Sequence, residues 1–169
     1  MSGEQLTDLT SAEGFESFYR GALDPVYRAV LVATRHPERA EDAVHEAFAR
    51  AFERWASVRE HPNPIAWVTR VALNLNTSGW RAWRREQPEP PDLAVEDELP
   101  IDPWLIRAVW RLPRRQRQVV ALRILLDMSA EQTAEALGIS VGAVGSHLHR
   151  ALATLQTILA ETAFAEASK

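Results

Sequence analysis

Two sets of side chains in this sequence have the types and spacing to grip nucleic acid. The first is Gly142, Ser146, His147, His149 and Arg150. At about 100° per residue along a helix, Gly142, Ser146, His149 and Arg150 share one side, with His147 and Gly145 flanking them. An Arg can bond two acceptors on a guanine edge, and Ser or His can reach bases or phosphates. A glycine at a helix start leaves room for a phosphate beside the unpaired N–H groups. The second set is Trp80-Arg81-Ala82-Trp83-Arg84-Arg85. Rings between guanidinium groups suit a single strand, with bases stacked on the rings and phosphates on the cations. A merely solvated face has a similar composition in the first case, and an inward-packed Trp80 would weaken the second. The elements that carry these residues must therefore decide.

Those elements read as helices throughout. Ser129 has Gln132 three residues on, the spacing of a capping box, and Gly138 sits where a helix would end on a left-handed residue. Ser140 can cap a last helix from Val141 to about Ala160. Val144, Leu148, Ala151, Leu152 and Leu155 form its core side, facing Ala134, Leu137 and Ile139. Two capped helices joined by Gly138-Ile139-Ser140 make a helix-turn-helix, the device that lays a second helix in a DNA major groove. Arg114–Leu126 and Trp104–Leu112 predict two preceding helices. Of the basic cluster Arg107, Arg111, Arg114, Arg115, Arg117 and Arg123, the residues Arg114, Arg115 and Arg117 stand nearest the motif and suit backbone phosphates.

In the first half, Val44, Ala47, Phe48, Ala51 and Trp55 step by three or four and predict a helix over 38–57 with one buried stripe. Glu41, Asp42, His45, Glu46, Ala49 and Glu53 fall beside or opposite it. A loop at Ser57–Asn63 precedes a long helix from Pro64 to about Arg85, apolar along Ile65, Val68, Val71, Ala72 and Leu75. Near the N-terminus, Phe15, Phe18, Tyr19 and Leu23 open a helix. Asp24-Pro25 resembles an N-cap with proline at the first position of the next helix, which runs to His36-Pro37.

Composition sets the outer bounds. The chain has 169 residues, a net charge of −4 and no cysteine, so disulfides and thiolate metal sites are excluded. Residues 86–103 hold seven acidic side chains, no basic one and five of the ten prolines. This stretch reads as an extended, self-repelling linker between domains at 1–85 and 104–169. The overall negative charge is thus concentrated away from the basic clusters, and local patches govern attraction to phosphate more than the sum does. No apolar run approaches the roughly 20 residues of a membrane span. The polar N-terminus is unlike a secretory signal, which leaves the cytoplasm as the expected location. His45-Glu46 begins like a zinc-protease motif, but the second histidine would fall at Ala49. No nucleophile triad, phosphate loop or carboxylate pair is visible. The expectation is an all-α protein that is not an enzyme, with no catalytic residues, metal or cofactor.

The motifs together resemble a known family. LPRRQRQVVALRILLDMSAEQTAEALGISVGAVGSHLHRAL (112–152) is similar to region 4 of an extracytoplasmic-function (group IV, sigma-70 family) sigma factor of bacterial RNA polymerase. AEDAVHEAFARAFERW (40–55) and NPIAWVTRVALNLNTSGWRAWRR (63–85) resemble its region 2. The resemblance implies a region 2 bundle over 1–85 and a region 4 helix-turn-helix over 104–169. It implies that Glu41, Asp42, His45, Glu46, Ala49 and Glu53 dock on the clamp of the largest polymerase subunit. Asn63, Asn74, Ser78, Arg81, Arg84 and Arg85 would hold the melted −10 strand. Gly142, Ser146, His147, His149 and Arg150 would meet the −35 duplex, and the apolar side of region 4 the flap of the second-largest subunit. Promoter DNA, core polymerase and an anti-sigma factor are the implied partners. The sequence departs from the family pattern at His45 for Gln, Leu73 for Arg, Ser78 for Asp and Gly145 for Lys. From the residues alone, two other readings stand beside this one: a stand-alone helix-turn-helix regulator, and a sigma-like decoy or adaptor that binds polymerase or an anti-sigma factor without a promoter.

Overall fold

The computed structural model describes residues 3–83 and 102–167, with side chains from 12 to 75 and from 102 to 161 apart from Pro103. All regular structure among them is helical, as expected: α1 (Gly3–Thr34), α2 (Pro37–Glu53), α3 (Trp55–Val58), α4 (Pro64–Trp83), α5 (Pro103–Trp110), α6 (Arg114–Val120), α7 (Ala130–Leu137) and α8 (Val141–Ala167). The chain divides into two compact units, the first with most of α1 and α2–α4, the second with α5–α8. The acidic stretch at 86–103 lies, but for its last two residues, outside the described residues.

The first unit corrects the expectation at Asp24-Pro25. That dipeptide starts no new helix, and α1 runs through Pro25 unbroken. An interior proline removes one backbone bond and costs about 3 kcal/mol. Here the flanking Ala22, Val26, Ala29 and Val30 are all buried, and burying a valine returns about 1.5–3 kcal/mol. The Asp24–Arg28 ion pair (2.7 Å) spans the site. The helix expected over 38–57 is also two pieces, since α2 ends at Glu53 and α3 restarts at Trp55. Its stripe is correct: Val44, Ala47, Phe48, Ala51 and Trp55 are all buried. α2 packs along α4, which buries Ala66, Val68, Thr69, Ala72 and Leu73. Thr69 satisfies its hydroxyl by donating to the Ile65 carbonyl at 2.7 Å. Rings from three helices close the other side. Phe18 stacks on Trp55 at 5.1 Å, and Tyr19 meets Phe48 edge-on at 5.1 Å.

The second unit is built around α8, on which α5, α6 and α7 pack. Asp102 caps α5 by accepting from the Trp104 amide at 2.8 Å, with Pro103 in the first turn. The helix expected over Arg114–Leu126 changes character part-way, as α6 passes into a π-helical turn at Ala121–Leu125. The Met128 amide bonds the Leu122 carbonyl, and the Arg123 guanidinium donates to the Met128 carbonyl. Asp127 between them takes a left-handed φ of 46°, a conformation that aspartate tolerates better than most residues. The turn delivers Ser129 to the start of α7.

Candidate nucleic-acid interface

Local signals set the two ends of α7, the turn and the start of α8. The Ser129 hydroxyl accepts from the Gln132 amide at 3.1 Å, and the Gln132 side-chain oxygen accepts from the Ser129 amide at 2.9 Å. This is the reciprocal capping box. At the far end Gly138 adopts φ 63°. The Ile139 amide then bonds the Ala134 carbonyl (3.0 Å) and the Gly138 amide the Glu135 carbonyl (3.3 Å), the closure that satisfies a helix's last carbonyls. Ser140 caps α8 by accepting from the Ala143 amide at 3.1 Å. Glu131, in the first turn of α7, is held below the usual carboxylate range by its own backbone amide and then by the Ser129 hydroxyl.

The core side of α8 is narrower than its apolar stripe. Val144 and Ala151 are buried, as is Ile158, which lies one heptad further on, and Leu148 and Leu155 are half-buried. Leu152, expected in the core, is 45% exposed. The helix also continues past Ala160 to Ala167. On the opposite side Gly142, Ser146 and His149 form an exposed row with spacings of four and three, and Arg150 is exposed beside them. A Cβ built at Gly142 or Gly145 would meet nothing. His147 departs from this row. It is half-buried, and its Nδ1 is enclosed without a hydrogen-bond partner.

The basic residues before the motif separate into two kinds. Arg117 is not a surface cation: it is buried and donates to the Leu112 carbonyl at 2.9 Å. Arg107, Arg111, Arg114 and Arg115 are exposed. Partial burial, and then the charge of Arg115, lower the Arg114 pKa. Arg115 also reaches the Leu137 carbonyl at the end of α7, at 3.3 Å, where a cation meets the negative end of the helix dipole.

In the first unit Glu41, Asp42, His45, Glu46, Ala49 and Glu53 all lie on the exposed side of α2, and Glu46 pairs with Arg50 at 2.8 Å. Phe52 keeps the three- and four-residue step of the buried stripe, four after Phe48 and three before Trp55, yet it is 58% exposed at the stripe's edge. Asn63 proves to be a helix cap, with its Oδ1 accepting from the Ala66 amide at 3.0 Å. Asn74 is exposed on α4. Ser78 and Arg81 belong to α4 but their side chains lie outside the described residues, as do Arg84 and Arg85 altogether.

Comparison with known proteins decides the family. Residues 18–87 match the model of sigma-70 region 2, and residues 103–155 that of sigma-70 region 4. The RNA polymerase sigma-E factor of Streptomyces coelicolor is 38% identical over 150 residues, covering 84% of each chain. The chain belongs to the extracytoplasmic-function group of the sigma-70 family. The sigma-E factor of Streptomyces avermitilis is 36% identical over 148 residues, covering 84% of this chain and 83% of that one. Among solved structures, the sigma factor RpoE of Bartonella quintana, in complex with the anti-sigma factor NepR, has the same fold. It superposes with a TM-score of 0.72 at 22% identity over 87% of this chain and 97% of that one. Sigma factors are non-catalytic: they bind RNA polymerase and direct promoter-specific initiation. The region 4 match thus takes in α5, α6, α7 and the first half of α8, helix-turn-helix included, and the region 2 match runs from within α1 through α4.

Proposed function

We propose that this sigma factor divides promoter recognition between two weak grips. Gly142, Ser146, His149 and Arg150 on α8 face the −35 duplex, with His147 toward its backbone from the edge of the row. Asn74 on α4, with Ser78, Arg81, Arg84 and Arg85 further along the chain, holds the melted −10 strand. Asn63 presents its remaining amide group there while its oxygen caps the helix. The exposed acidic side of α2 (Glu41, Asp42, His45, Glu46, Ala49 and Glu53) docks on the polymerase clamp. The acidic stretch 86–103 joins the grips, and an anti-sigma factor binds the protein, as NepR binds RpoE of Bartonella quintana. The place of action is the cytoplasm, where polymerase and DNA meet. Among the described residues no helix is long and apolar enough to cross a membrane.

The observation that carries this reading is the exposed Gly142–Ser146–His149 row on a helix fixed at its start by Ser140 and buried behind by Val144, Ala151 and Ile158. One such helix makes only a half-site's worth of contacts, too few for tight specific binding alone. Tethering through polymerase makes the second grip effectively intramolecular. The test is to mix the full chain with core polymerase and fragmented genomic DNA and sequence the transcripts. Starts that share a two-part upstream motif support the reading. Polymerase binding without initiation, or duplex binding without polymerase, contradicts it.

A further inference from the structure

We infer that Arg115, with Arg114 beside it, is the backbone anchor of the helix-turn-helix: its guanidinium holds a phosphate of the duplex that α8 reads and so fixes how that helix lies in the groove. This rests on the proposed −35 contact. Arg115 is exposed, yet its guanidinium is already aimed. Nη1 donates to the Leu137 carbonyl and to the Gln118 side-chain oxygen, both at 3.3 Å. These bonds tie it to the last residue of α7, next to the Gly138–Ser140 turn. Nε and Nη2 donate to nothing among the described residues. The edge left over carries two parallel N–H groups, the fork that takes two oxygens of one phosphate. A side chain held before binding gives up little freedom when it docks.

Charge and position select nucleic acid. Residues 104–126 hold six arginines and no acidic side chain. Arg114 is exposed next to Arg115, and partial burial, then the Arg115 charge, disfavour its cation. The pair therefore gains from an anion that brings charge to both, as successive phosphates of one strand do. α8 has no acidic residue before Glu161, so the reading helix does not repel that strand. In a helix-turn-helix the first helix crosses the DNA backbone while the second lies in the groove. Here the first helix, α7, exposes Glu131 and Glu135, which repel phosphate. The cations at its end supply the attraction that its own surface lacks. A phosphate contact touches no base, so it positions α8 without adding a sequence preference.

The experiment measures promoter affinity of the full chain bound to core polymerase, at several salt concentrations and on promoters with single-base changes in the −35 element. Arg115→Gln should weaken binding about tenfold, by the same factor on every promoter, and make the slope of log affinity against log salt shallower by about one. Arg115→Lys keeps the charge and loses the fork, so the slope should stay while part of the affinity is lost. If Arg115→Gln lowers the melting temperature, Arg114→Gln is read in its place, again with a shallower slope expected. A folded variant with wild-type affinity and slope, while Arg150→Ala relaxes one −35 position, overturns the anchor and leaves the −35 reading standing. If Arg150→Ala changes nothing either, the −35 contact falls as well. A loss confined to some −35 sequences would make Arg115 a base reader. Weaker binding to core polymerase without DNA would assign the pair to an acidic protein surface. Either result overturns the proposal.

Discussion

The Asn63 side-chain oxygen accepts from the Ala66 backbone amide at 3.0 Å, while the Asn63 backbone N–H donates to the His61 ring at 3.0 Å. Asn63 therefore fixes the first turn of α4, the helix that also carries Asn74. A lost N-cap costs about 1 kcal/mol. Asn63→Ala should lower the stability of the first unit by that amount in urea unfolding, and Asn63→Asp, which keeps the acceptor, should cost little. If Asn63→Ala leaves stability unchanged while promoter melting suffers, the residue acts on DNA and not as a cap.

Thr133, in the middle of α7, is fully buried and its hydroxyl has no hydrogen-bond partner. A buried unmatched polar group costs about 1–3 kcal/mol. Thr133→Val keeps the shape and removes the hydroxyl, so it should stabilise the second unit by about 1 kcal/mol. For a unit of this size that raises its melting temperature by roughly 4–8 °C. A lower melting temperature would mean that the hydroxyl has a partner after all.

Gly145 stands where the resembled family has lysine, and a side chain there would enter open space. Gly145→Lys should therefore fold normally and add one phosphate contact. Binding to promoter DNA should strengthen across sequences, and the slope of log affinity against log salt should steepen by about one. The check is a salt titration of both proteins in complex with polymerase, and an unchanged slope would refute the contact.

Much of region 4 was legible because its signals are local. Ser129 with Gln132, Gly138 and Ser140 each solve a backbone problem within a few residues, and each does so in the structure. What failed depended on tertiary packing. Pro25 reads as a helix start, yet buried neighbours carry the helix through it. Leu152 fits the apolar period, but α6 and α7 cover only the Val144–Ala151–Ile158 side of α8. Arg117 looks like one more surface cation, and nothing in its neighbours announces that it caps the Leu112 carbonyl from a buried position. Asn63-Pro64 carries a helix-start signature in the sequence, an N-cap residue before a proline at the first helical position. Phe52 is in step with the stripe, four residues after Phe48, and its exposure follows from packing that the period does not show.

Arg150 decides whether the exposed row of α8 reads duplex sequence. Affinity of the polymerase complex is measured, with wild-type protein and with Arg150→Ala, on a set of promoters carrying every single-base change in the −35 element. Arg150→Ala should relax the preference at one position, worth ~1–3 kcal/mol there, and leave the −10 preferences intact. An equal loss of affinity on every promoter would show that Arg150 touches only the backbone and that the row does not read the −35 bases.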